Sequence, residues 1–175
     1  TKNYQITDIN SSISNSGQYS LLIQGDGNYQ FNHTTFANYW SQSTRKTPSI
    51  LLQNAYINNT GVTVVSNLTA VDFYNCIIHG DQAIEFDTEE ISGGTINFSL
   101  RNCVLKTSNS IASSNYIGTI LNPTANLFVD KTIYDYHLAD GSPAINAGDN
   151  TISVSFDYDG NPRSDGSPDI GAYEK

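Results

Sequence analysis

The sequence predicts an all-β chain wound as a parallel β-helix of about five or six coils and finished by an irregular C-terminal cap. Three observations lead there. Strand and turn formers dominate the composition. Apolar and polar residues alternate in short runs. The runs recur at the spacing of one coil.

Among the 175 residues, Asn, Ser and Thr number 20, 20 and 16, and Tyr alone numbers 11. Strong helix formers are scarce, while Val, Ile, Thr, Tyr and Phe favour strands and Asn and Gly favour turns. Charged residues reach only 14%, against about 25% in an average domain. Hydrophobic residues make up 38% in short regular clusters, which argues against disorder. Eight Lys and Arg stand against 17 Asp and Glu, a net charge of −9. Nucleic acid needs a basic footprint and anionic lipid repels such a chain, so neither is an expected partner. No apolar run approaches the roughly 18 residues of a membrane span, so no membrane insertion is expected. With no Met at all, the chain reads as a processed or excised piece of a longer protein.

The repeat is anchored on Asn10, His33, Asn54, Asn75 and Asn102, spaced 23, 21, 21 and 27 residues apart. Four residues before the anchors stand Ile6, Tyr29, Ile50, Val71 and Phe98. Two before stand Asp8, Phe31, Leu52, Phe73 and Leu100. One after stand the small residues Ser11, Thr34, Ala55, Cys76 and Cys103. Three after stand Ile13, Phe36, Ile57, Ile78 and Leu105. Period-two alternation means strand, and the phase break at the anchor means a tight bend between two strands. Asn takes the left-handed conformation cheaply. Stacked about 4.8 Å apart, its amide can bond from rung to rung. His33 is expected to serve as a turn residue in that row. The rows Phe31, Leu52, Phe73, Leu100 and Ile13, Phe36, Ile57, Ile78, Leu105 are expected to be buried, since stacking alone can cover them. The coil from Asn75 to Asn102 has 27 residues against 21, and the excess is placed in a loop over Gly80–Thr95. Beyond Leu105 the register weakens, with Asn126 and Val129 marking one more coil. Cys76 and Cys103 share a row on neighbouring coils, where parallel Cβ vectors suit a disulfide badly, so free buried thiols are expected.

From Asn126 the character changes. The chain reads Leu127-Phe128-Val129-Asp130, then Tyr136 and Leu138, then Gly141-Ser142-Pro143-Ala144-Ile145-Asn146-Ala147-Gly148. It continues with Asp157, Asp159, Gly160, Asn161 and Arg163, and with Asp169-Ile170-Gly171-Ala172-Tyr173-Glu174. These residues resemble the C-terminal module of secreted right-handed parallel β-helix proteins, the pectate-lyase-like superfamily, and within it the choice-of-anchor Q family. The resemblance covers about fifty residues closely. It implies a right-handed helix over residues 1–130 and a capping segment of the same domain over 131–175. It also implies a bacterial protein in an extracellular or cell-surface setting, with the outer membrane or periplasm included. It specifies architecture and leaves chemistry open, because the superfamily holds lyases, hydrolases and non-catalytic surface proteins. Physically, an open sheet end invites aggregation and calls for a cover. Gly-Ser-Pro and Asp-Gly-Asn-Pro turns can build one, with Arg163 clasped by Asp159 or Asp169.

Candidate sites follow from outward positions. Tyr39, Trp40, Tyr56 and Tyr74 are candidate sugar-stacking residues, read as rising along one lateral face. Arg101 and Lys106 are candidates for the base of a polysaccharide lyase, with Asp72 beside them. Asp81, Glu85 and Asp87 lie in an acidic loop that can offer oxygens to Ca²⁺, although no cofactor is required. Asp157-x-Asp159-x-Asn161 opens like a calcium loop, but Pro162 and Pro168 exclude an EF-hand. His79 and His137 show no evident partners, and no triad order, zinc spacing or phosphate loop occurs. Three functions stay open: a non-catalytic glycan-binding or structural display module, a fragment of a polysaccharide lyase or glycoside hydrolase acting on acidic polysaccharide, and an adhesin module binding a protein. The molecule is expected to be a monomer or part of a longer chain.

Overall fold

A computed structural model describes residues 5–111, 114–164 and 166–175. The chain is all-β with parallel sheets, an arrangement consistent with a parallel β-helix. Its first pass runs through β1 (Gln5–Ile9), β2 (Ser12–Ser14) and β3 (Leu21–Gln24). The second runs through β4 (Gly27–Asn32), β5 (Thr35–Asn38) and β6 (Ile50–Gln53). A side hairpin, β7 (Ala55–Ile57) and β8 (Thr63–Val65), follows. The third pass is β9 (Leu68–Tyr74), β10 (Ile77–Gly80) and β11 (Phe86–Glu89). The fourth is β12 (Ile96–Arg101) and β13 (Val104–Leu105), and the fifth β14 (Tyr116–Ile117) and β15 (Ile120–Leu121). Among the described residues these strands form three parallel sheets, ordered β1-β4-β9-β12-β14, β15-β13-β10-β5-β2 and β11-β6-β3. The chain closes with an antiparallel hairpin, β16 (Phe128–Asp130) and β17 (Asp135–Leu138), and a long irregular segment.

The predicted rows hold in the first two sheets. Asp8, Phe31, Phe73, Leu100 and Tyr116 are aligned, as are Ile13, Phe36, Ile78, Leu105 and Leu121. The Phe31 and Phe73 rings stack with centroids 5.0 Å apart and planes 12° apart, close to the spacing of adjacent strands. One expected anchor lies elsewhere in the fold. Asn54 does not begin a coil of this register. Ile50 and Leu52 sit in the third sheet, aligned with Leu21 and Ile23 on one side and Phe86 and Thr88 on the other. Leu52 is buried there, while Ile57 stands 72% exposed on the antiparallel hairpin. The apolar alternation of a third strand in the same pass imitates that of a first, so spacing alone divided one long pass into two. Gly80–Thr95 likewise contains β11 rather than only a loop. Cys76 and Cys103 are buried and free.

Backbone conformation identifies the true corners. Asn10, His33, Asn75, Asn102 and Asn122 have φ of 55°, 52°, 51°, 50° and 45°, the left-handed region that Asn tolerates. Their side chains do not form the expected rung-to-rung ladder, apart from Asn75 Nδ2 at 3.0 Å from His33 Nε2. Those of Asn10, His33, Asn75 and Asn102 turn sideways onto the C-terminal segment, whereas Asn122 bonds the backbone of Thr107. Asn10 donates to Phe156 O at 2.5 Å, Asn32 beside the His33 corner to Ile152 O at 2.6 Å, and Asn75 accepts from Asp149 N at 2.8 Å. A rung-to-rung amide contact occurs instead on the third sheet, where Gln24 Nε2 donates to Gln53 Oε1 at 2.6 Å.

The C-terminal segment therefore runs along the flank of the stack, whereas a cover over its last coil was expected. Leu127, Phe128, Tyr136, Leu138, Ala144 and Ile170 form a second core against Ala37, Ile77 and Val104 on the outer face of the second sheet. Gly171 permits the closest approach. Its φ is +102°, and a Cβ there would lie 2.7 Å from Ile77 and 2.8 Å from Thr35. Its N–H donates to Asn75 O, and the next N–H donates to Thr35 Oγ1. Phe73→Ala should lower stability by about 3–5 kcal/mol, because it empties the stacked aromatic row. Ile57→Ser on the exposed hairpin should stay within about 0.5 kcal/mol of wild type. Denaturant melts of both variants measure the difference.

Candidate functional site

The second sheet is covered on both faces, and its C-terminal edge borders a cleft. β5 is buried throughout and delivers Tyr39 to the corner that follows it. β10 places His79 beside Ala37, on the outer face. The hairpin β16–β17 closes the other side, so that Tyr39, His79, Phe128, Asp130, Lys131 and Thr132 line a cleft of about 370 Å³. Asn15 Oδ1 fixes the wall by accepting from Tyr39 N at 3.2 Å and from the Tyr136 hydroxyl at 2.9 Å. Tyr39 stacks on Tyr136 and meets Phe128 edge-on, both at 6.2 Å. The Lys131 ammonium lies 4.7 Å from the centre of the Tyr39 ring.

The Tyr39 hydroxyl lies 2.7 Å from His79 Nδ1. Burial, then the charge of Asp81, pushes the phenol pKa up, so the phenol keeps its proton. Burial, then Lys106 and Lys131, lowers His79 to about 4. Tyr39 therefore donates to Nδ1, and neutral His79 carries its proton on Nε2. Neither group titrates near neutrality, which suits binding better than proton transfer.

The sequence-derived candidates do not converge. Trp40 donates to Ser43 Oγ at 2.9 Å and lies against Gly17. Tyr56 is on β7 beside Gly25, and Tyr74 ends β9 with Arg101 5.8 Å from its ring. Tyr39 and Trp40 follow a strand of the second sheet, Tyr56 lies on the side hairpin and Tyr74 ends a strand of the first sheet, so the single rising face is not formed. Asp72 accepts from Ser99 Oγ at 2.5 Å, and Lys106, past the Asn102 corner, donates to Gly80 O at 2.6 Å. Asp72 and Arg101 thus both border Tyr74 on the first sheet, while Lys106 stands apart from them.

Glu85 is fully buried and is not available to a metal. It pairs with Arg45 at 2.6 and 2.9 Å and also accepts from Ser49 and from Gln82 N. Asp81 is exposed and Asp87 half-buried, and among the described residues no group of three or more His, Cys, Asp or Glu is arranged to hold a metal. Asp157 accepts from the backbone of Asp159, Asn161 and Glu174, so it organises its own turn.

Arg163 is buried, and its carboxylate partner is Glu174 rather than the expected Asp159 or Asp169. It donates to Glu174 at 2.5 Å, to Gly171 O at 2.9 Å and to Asn10 Oδ1 at 3.3 Å. It also donates to the Asp169 backbone carbonyl at 3.2 Å, while the Asp169 carboxylate accepts from Asn146 N and Lys175 N. Asp159 pairs with His137, which was also missed. His33 is buried at its corner with Nδ1 3.3 Å from Gly171 O. Asn75 is oriented by Asp149, so its amide N–H must face His33 Nε2, and that pattern admits only the neutral ring.

The cleft had one readable signal. Ile77-Ile78 and Val104-Leu105 are consecutive apolar pairs, the mark of a strand buried on both faces. Among the described residues no helix is long and apolar enough to cross a membrane. Comparison with protein-family models, with curated proteins and with solved structures finds no match.

Burial, then Arg163, lowers His33 to about 3 from 6.5. The unfolded chain therefore binds a proton that the folded chain refuses between those values. Stability should fall on acidification by about 1.4 kcal/mol per pH unit from this residue. His33→Asn keeps the corner conformation and should flatten that part of the slope in melts run across the window. Arg45→Ala leaves the Glu85 charge buried without its partner and should destabilise by about 3–5 kcal/mol in the same assay.

Proposed function

We propose that this chain is a right-handed parallel β-helix module of a secreted or surface-attached bacterial protein, with its coils ending at Leu121 and the segment from Leu127 onward sealing its flank. The strand orders and the left-handed corners support the helix. The C-terminal motif supports the setting. Its function is non-catalytic binding of an acidic saccharide in the cleft of Tyr39, His79 and Lys131. One observation carries this reading: an aromatic wall, a neutral imidazole and a lysine ammonium meet in a single open cleft. Aromatic faces stack on sugar rings, and the ammonium favours a carboxylate-bearing one. The lyase reading has less support, because Lys106 stands apart from Asp72 and Arg101, which are engaged by Ser99 and Tyr74.

A panel of neutral and uronate oligosaccharides, titrated by NMR, tests it. Uronates should bind weakly and shift Tyr39 and His79 signals. Lys131→Ala should weaken that binding about fivefold, the equivalent of about 1 kcal/mol. Absence of binding across the panel, or equal binding by Lys131→Ala, overturns the assignment.

A further inference from the structure

A second cluster lies outside the cleft. On β17, both ring nitrogens of His137 are engaged, Nδ1 2.6 Å from Asp135 Oδ1 and Nε2 2.7 Å from Asp159 Oδ2. Asp135 begins the same strand. Asp159 belongs to the turn built around Asp157. The imidazole therefore ties the hairpin β16–β17 to the C-terminal segment. Both carboxylates only accept, so both nitrogens must donate, which only the imidazolium can do. A neutral ring would turn a bare nitrogen toward one carboxylate.

We propose that Asp135, His137 and Asp159 form a pH-gated latch, in which the imidazolium holds β16–β17 against the C-terminal turn and loss of its proton loosens the hairpin while its apolar side stays packed. The groups facing His137 are Asp135 from its own strand, Asp159 from the turn and Tyr173 from the tail, whose ring lies 4.2 Å away with Tyr158 packed behind it. The bond to Asp159, then that to Asp135, raises the His137 pKa above 6.5. A raised value gives its full stabilisation below the unfolded pKa and loses it as pH climbs through the folded one. His33 and His79, lowered to about 3 and about 4, stay neutral throughout that window. The side chain of His137 is 48% exposed, so its proton exchanges freely with solvent. Because Phe128, Asp130 and Lys131 wall the cleft, the latch also modulates saccharide access; that consequence rests on the binding proposed above, whereas loosening of the hairpin does not.

An NMR titration of the whole chain without saccharide, from about pH 5.5 to about pH 9, reads the His137 ring and the exchange of amides 128–138 together. After correction for intrinsic exchange, protection should fall as His137 deprotonates. The fall should be about tenfold for each unit by which folding raises the His137 pKa. His137→Gln should make protection independent of pH across the window. Asp159→Asn should move the His137 titration downward and shrink the fall in protection. Flat protection in the wild-type chain, or an equal fall in either variant, overturns the latch.

Discussion

A left-handed corner, repeated once in each pass, is the constraint on which the rest of this structure depends. It turns the first sheet into the second within one residue, so the inward rows of both keep their phase. Most side chains resist that conformation by about 1–2 kcal/mol, and Asn resists it least. The corner N–H groups of Asn10, His33, Asn75 and Asn102 each donate to the carbonyl of the following pass. Stacking therefore continues through the bend, and the core of Phe31, Phe36, Phe73, Ile78, Leu100 and Leu105 remains unbroken.

The same corners decide where the C-terminal segment lies. An Asn in a left-handed bend extends its amide away from the stack, where it needs a partner. The backbone of residues 147–156 supplies one at successive corners. Arg163 then draws Glu174, Gly171 and Asn10 together in a buried group. A segment whose turns suggested a cover for one end thus becomes a strap along the side. Its apolar residues need a surface, and the outer face of the second sheet, with Ala37, Ile77 and Val104, provides it.

The cleft and the His137–Asp159 pair are products of that docking. Tyr39 and His79 belong to the stack, and Phe128 and Lys131 to the hairpin. No chemistry joins them until the strap is in place. The three histidines divide by environment. His33 and His79 are enclosed and kept neutral, while His137 lies at the surface between two carboxylates that favour its charge. Rigid groups thus face a wall whose attachment is titratable.

Period-two alternation with a regular phase break was enough to define the strands, the parallel stacking and four of the five proposed corners, because inward burial and corner conformation are imposed residue by residue. Free thiols at Cys76 and Cys103 followed from the same geometry. The error at Asn54 came from the third sheet, whose strands alternate like the first and bear no mark of which pass they join. Pairing partners are non-local, and only the folded register distinguishes Leu52 beside Ile23 from Leu52 beside Phe31. The site was less legible still. Tyr39 was recognisable as an aromatic at a bend, but its union with His79 and Lys131 spans more than ninety residues and depends on the strap. The partners of Arg163, Glu85 and His137 were likewise fixed only by tertiary packing. An ion pair is set by which carboxylate arrives at hydrogen-bond distance, and sequence neighbours such as Asp159 and Asp169 were already held by other donors.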